Sequence, residues 1–139
     1  LGSLGTLAPL PTRGFRFATT DTVATVSPDG GVVGLPIAQW IIKEHDRREA
    51  DGAIMRTTGA ICQPRGLVVS PSNVDWFACA NAILRVDERG SAQTFTMPQP
   101  RSYPTALTLG GDGAIWFAEP LKSRIGRIDA HGKLTEFAL

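Results

Sequence analysis

Apolar residues along this chain come in runs of four or five, each closed by a turn string. Over the last third the runs are Ala106–Leu109, Ala114–Ala118, Arg124–Ile128 and Leu134–Phe137, parted by Gly110-Gly111-Asp112-Gly113, Pro120-Leu121-Lys122-Ser123 and His131-Gly132. This spacing predicts a four-stranded antiparallel meander. Its second run carries Ile115-Trp116-Phe117, adjacent large apolar residues that point to opposite faces of a strand. Both faces of the sheet must then be covered.

The same pattern occurs one unit earlier. Setting Pro64 on Pro104 aligns Leu67 with Leu107, Trp76 with Trp116 and Phe77 with Phe117 at an offset of 40. From Val86-Asp87 onward the offset is 42, matching Ile128-Asp129, then Gly90 with Gly132 and Phe95 with Phe137, so the later copy has two residues added in its middle turn. A fainter third copy puts Phe17-Ala18, Val26, Gly30 and Leu35 at 60 residues before Phe77-Ala78, Val86, Gly90 and Phe95.

A repeat of roughly 40 residues holding four strands is the period of a β-propeller blade, a small sheet that buries its faces against neighbouring sheets. The fold class is therefore all-β: a partial propeller of about three blades with one short inserted helix. Residues 1–37 read as an incomplete blade, with strands at Gly14–Ala18, Thr22–Ser27 and Val32–Ile37 and no readable first strand. Residues 1–13 are an outer strand or an irregular arm. Residues 38–58 break the repeat: Ala38–Ala50 is made of helix formers apart from its isoleucines, and Asp51-Gly52 can stop it, which predicts a surface helix with Trp40 and Ile41 turned inward. Residues 61–98 and 102–139 are the two full blades.

Composition narrows the functions. A chain of 139 residues with 42% apolar and 19% charged content is ordinary for a globular domain, and no apolar run approaches the roughly 18–20 residues of a membrane span. A net charge of +1 with mixed signs argues against nucleic-acid or anionic-membrane binding. Two cysteines are too few for a disulfide scaffold.

The string DGAIWFAEPLKSRIGRIDAHGKLTEF resembles the repeat of the virginiamycin B lyase (streptogramin B lyase) family, whose blades read about DGxLWFTE and then RIGRITPDGxITEF. The match is close over 112–137, partial over 64–97 and weak over 14–37. The resemblance implies a seven-bladed ring, so self-association or missing blades are needed to close the circle, because an open stack leaves apolar faces in water. It implies a cytoplasmic enzyme, with export as the alternative. It also implies an elimination that opens a cyclic depsipeptide antibiotic at its ester by removing an α-proton and expelling the carboxylate. Magnesium would steady the enolate charge and a Glu-Pro-His string would supply a metal ligand and the base.

In a propeller the first strand of each blade lines the channel. Its start (Cys62-Gln63-Pro64-Arg65 and Tyr103-Pro104-Thr105) lies beside the end of the second strand (Cys79-Ala80-Asn81 and Glu119-Pro120), forming one channel mouth where a small molecule or cyclic peptide would sit. Candidate ligand-binding residues are Gln63, Arg65, Tyr103, Thr105 and Glu119, with Glu119 also the candidate metal ligand. By the resemblance, Tyr103 and Thr105 stand where the family has Glu and His, as do Gln63 and Arg65 one blade earlier. No catalytic residue is assigned.

His45, among charges, and His131, in a turn, have nothing nearby in sequence to orient a ring. Cys62 and Cys79 fall in one blade and can meet: a disulfide if the protein is exported, two partly buried thiols otherwise, a metal pair being short of ligands. Arg124 and Arg127 lie on opposite faces of one strand and read as structural. Two further function classes stand beside the lyase: a non-catalytic propeller binding a sugar, peptide or protein, and a calcium-dependent lactonase-like propeller, which would want converging acidic residues.

Overall fold

The computed structural model describes residues 5–19, 22–35, 62 and 64–139. Among them twelve strands make three four-stranded antiparallel sheets, each in simple sequence order. The first holds β1 (Thr6–Pro9), β2 (Phe15–Ala18), β3 (Val23–Val26) and β4 (Val32–Gly34). The second holds β5 (Gly66–Val69), β6 (Asp75–Ala78), β7 (Ala82–Val86) and β8 (Ala92–Thr96), and the third β9 (Thr105–Leu109), β10 (Ile115–Glu119), β11 (Arg124–Ile128) and β12 (Leu134–Ala138). These are the meanders expected from the repeat.

The first blade is corrected from incomplete to four-stranded. Thr6–Pro9 pairs with Phe15–Ala18 in antiparallel register, Thr6 opposite Ala18 and Pro9 opposite Phe15. Pro9, Pro11 and the neighbouring glycines hid this strand, yet a proline at a strand's last position removes little from the ladder. The insertion over 38–58 and its expected helix at Ala38–Ala50, with Trp40, Ile41 and His45, lie outside the described residues, as does Gln63.

The sheets stack through their second strands. Phe77, fully buried, packs with Ala18, Val23, Leu67 and Val86 between the first and second sheets. Its neighbour Trp76 points the other way and joins Ile83, Ile115, Phe117 and Ile128 between the second and third. The first strands β1, β5 and β9 lie side by side, as around a common axis. Gly126, in the middle of RIGRI, is required here: a Cβ on it would overlap the Phe117 ring.

One interface departs from this apolar rule. Arg16 occupies in β2 the position that Trp76 holds in β6, and Asp75 occupies the position that Ile115 holds in β10. Where Trp76 and Ile115 share an apolar cluster between the second and third sheets, Arg16 Nε donates to Asp75 Oδ1 at 3.1 Å between the first and second. Their side chains are 7% and 6% exposed. Arg16 also donates to Thr25 Oγ1 at 2.6 Å and Asn73 Oδ1 at 3.4 Å. Burial pushes the Asp75 carboxyl above its usual range despite the pull of Arg16. Desolvation of such a pair offsets much of its attraction, and removing one partner strands the other charge.

Arg16→Ala or Asp75→Ala should therefore cost about 3–5 kcal/mol in urea unfolding. The double replacement Arg16→Trp with Asp75→Ile, which copies the next interface, should recover most of that loss. Single variants as stable as the parent would contradict this account of the pair.

Candidate functional site

The antiparallel pairing brings the starts of β5 and β9 to the same end of the stack as the ends of β6 and β10. Cys62 and Cys79 are joined there in a disulfide, with Cα atoms 4.6 Å apart, fastening the lead-in of β5 to the end of β6. In the next blade the segment before β9 is strapped to the preceding one. Tyr103 N donates to Ala80 O at 3.1 Å and Ser102 N to Asn81 Oδ1 at 3.2 Å.

The backbone turns sharply into β9. Tyr103 and Ala106 have φ of 47° and 51°, in the left-handed region that L-residues seldom adopt, and the β9–β10 register shifts between Trp116 and Ala118. This places the Tyr103 ring under Arg65, whose guanidinium carbon lies 4.8 Å from the ring centroid. Two of the five candidate mouth residues are thus brought together. Thr105, half-buried, pairs with Ala118.

Glu119 goes elsewhere. It shares a strand face with Ile115 and Phe117, is fully buried, and has no hydrogen-bond donor at bonding geometry on either carboxyl oxygen. Burial pushes its carboxyl up; nearby Ser102 lowers it, Glu136 raises it further and Arg124 lowers it. Glu136 Oε2 accepts from Arg124 at 3.3 Å, while its Oε1 has no donor. A neutral Glu119 has one O–H to donate to Glu136, which gives that carboxylate the donor it lacks, while the Glu119 carbonyl oxygen stays without one.

The two mouths use the same pair of positions differently. Ser102 stands 40 residues after Cys62 and Glu119 stands 40 after Cys79, so a covalent bridge in one blade corresponds to a hydroxyl beside a buried acid in the next. Neither Ser102 nor Glu136 is evident from sequence as part of the site. The offset that aligns the blades, applied to Cys62, would have found Ser102.

The virginiamycin B lyase family matches residues 18–139. The chain belongs to that family. A virginiamycin B lyase of Nocardia farcinica is 36% identical over 59 residues, 42% of this chain and 21% of that protein. The solved virginiamycin B lyase of Staphylococcus aureus superposes with a TM-score of 0.69 at 25% identity, over 96% of this chain and 40% of that one. A streptogramin B lyase structure gives 0.72 at 22%, over 99% and 41%. A gluconolactonase from Xanthomonas campestris gives 0.66 at 18% identity over 99% and 48%, a likeness of fold alone. The chain thus spans about two fifths of the solved lyases.

Against the virginiamycin B lyase pattern, the mouth of the third sheet holds Tyr103 and Thr105 where a Glu-Pro-His string would supply acid and base, and the mouth of the second holds Arg65 at the base position. Among the described residues no three His, Cys, Asp or Glu side chains gather as a metal would require. Glu119 and Glu136 do not fit magnesium: one is sealed from solvent and the other is held by Arg124. Arg124 and Arg127 are structural, the second bonding Asp112 at 2.6 Å and lowering its carboxyl. His131 sits exposed in the turn after β11, its backbone N–H donating to Asp129.

A carboxyl raised above its unfolded value of 4.5 holds its proton more tightly in the native state. Glu119 therefore costs nothing below that value and destabilises increasingly as pH rises through its folded pKa. Glu119→Gln, always neutral, should melt higher than the parent at pH 7–8, with the difference closing towards pH 4.5. Thermal melts of both proteins across that range check it; a gap that widens on acidification would contradict the buried-acid reading.

Proposed function

We propose that these blades form part of a virginiamycin B lyase-like propeller that opens a cyclic depsipeptide at its ester by elimination, with the base and any magnesium ligands on blades other than these three. Family membership over residues 18–139 carries the reading. The described blades would contribute scaffold and one rim of the channel, where Arg65 stacked on Tyr103 offers a flat cationic surface to a cyclic peptide. The open faces fit this role: Leu7 and Phe15 on the first sheet and Phe137 on the third are exposed, as expected of surfaces met by further blades, in the same polypeptide or in another copy. The Cys62–Cys79 bridge favours an oxidising compartment over the cytoplasm.

A second reading, a propeller that binds its ligand without turning it over, is favoured by the lack of a base at either described mouth. A lactonase-like reading would want open carboxylates at the mouth, and Glu119 is closed off.

The whole protein should be incubated with virginiamycin S and magnesium, and the product examined by chromatography and mass spectrometry. Elimination yields a linear product of unchanged mass that elutes separately from the ring. A product heavier by one water would indicate a hydrolase, and saturable binding with no product would support the non-catalytic reading.

A further inference from the structure

The end of the stack opposite the mouth carries a second cleft. It measures about 440 Å³ and lies between the second and third sheets, framed by the turn between β5 and β6 and the turn between β11 and β12. Its volume falls within the range of small-molecule sites. Ser70, Ser72, Arg85, Gln93, Asp129 and His131 supply its polar lining and Phe95 part of its apolar wall.

Arg85 is the unusual group. It sits on β7 between Trp76 and Gln93 in the cross-strand register, its guanidinium carbon 5.7 Å from the centroid of Trp76. In the third sheet the equivalent Arg127 lies 5.6 Å over Trp116 in the same manner and bonds the Asp112 carboxylate at 2.6 Å. The residue corresponding to Asp112, 40 positions earlier, is Ser72. Arg85 therefore keeps its aromatic platform but has no carboxylate partner among the described residues. Asp129, the acid in the cleft lining, is engaged instead by the backbone N–H groups of His131 and Lys133, each at 2.9 Å on Oδ1. An arginine fixed over an aromatic ring, facing hydroxyl and amide groups, suits bidentate recognition of a carboxylate.

We propose that this cleft binds a small organic carboxylate with an apolar body, the ligand's carboxylate replacing at Arg85 the partner that Asp112 provides to Arg127. Arg85 grips the two oxygens, Ser72 or Gln93 donates to one of them, and the ligand's body rests against Phe95. The site is separate from the channel mouth and independent of the lyase reading.

Benzoate titrated into the whole protein, followed by the NMR signals of the Trp76 indole N–H and the Arg85 Nε–H, tests this. Saturable shifts at both groups are expected. Ser72→Asp, which restores the third sheet's own pair, should weaken binding about tenfold or more while leaving the melting temperature unchanged or higher, and Arg85→Gln should do the same to binding. Methyl benzoate, with the same ring and no charge, should not compete. Binding by Ser72→Asp equal to that of the parent, competition by the ester, or no saturable shift with benzoate would each overturn the proposal.

Discussion

A strand that carries large apolar residues on both faces cannot be satisfied by its own sheet. In β6, Trp76 and Phe77 are adjacent and point in opposite directions, one into the cluster shared with the third sheet and the other into the cluster shared with the first. Burying one aromatic ring is worth a few kcal/mol, so a lone blade would forfeit a large part of its marginal stability to water. The stack follows from this. Each meander is locally simple, but its stability is a property of the interface with the next.

The interfaces share a geometry and differ in chemistry. The second strand of one blade reaches forward and that of the next reaches back, and the meeting is apolar through Trp76 and Ile115 or charged through Arg16 and Asp75. The mouth shows the same economy, with Cys62–Cys79 in one blade and Ser102 beside Glu119 in the next. At the opposite end, the arginine that lies over the tryptophan is paired with Asp112 in the third sheet and faces Ser72's cleft in the second. Divergence between copies of one repeat thus leaves in one blade, among the described residues, an arginine without the carboxylate that its counterpart holds in the next.

Much of the fold was legible because turn strings and period-two alternation survive in the second and third blades. The first blade's opening strand was hidden by Pro9 and Pro11, whose local preference speaks against a strand even though the edge of one tolerates it. The candidate site was less legible. Sequence adjacency located Arg65, Tyr103 and Thr105 at the mouth, but it could not show that Glu119 turns between blades, since a residue at a strand end can face the channel or the neighbouring sheet with equal ease. The contacts of Glu119 with Ser102 and Glu136, and the Arg16–Asp75 pair, join positions 17 to 59 residues apart, beyond the reach of local pattern. Only the repeat offset relates some of them.

Native-state hydrogen exchange of the backbone amides tests the interdependence of the blades most directly. The strands covered on both sides, β6 and β7, should exchange slowest, with protection falling towards the outward faces of the first and third sheets. Equal protection in all three sheets, or a second sheet that opens before its neighbours, would contradict a fold held together by what lies between the blades.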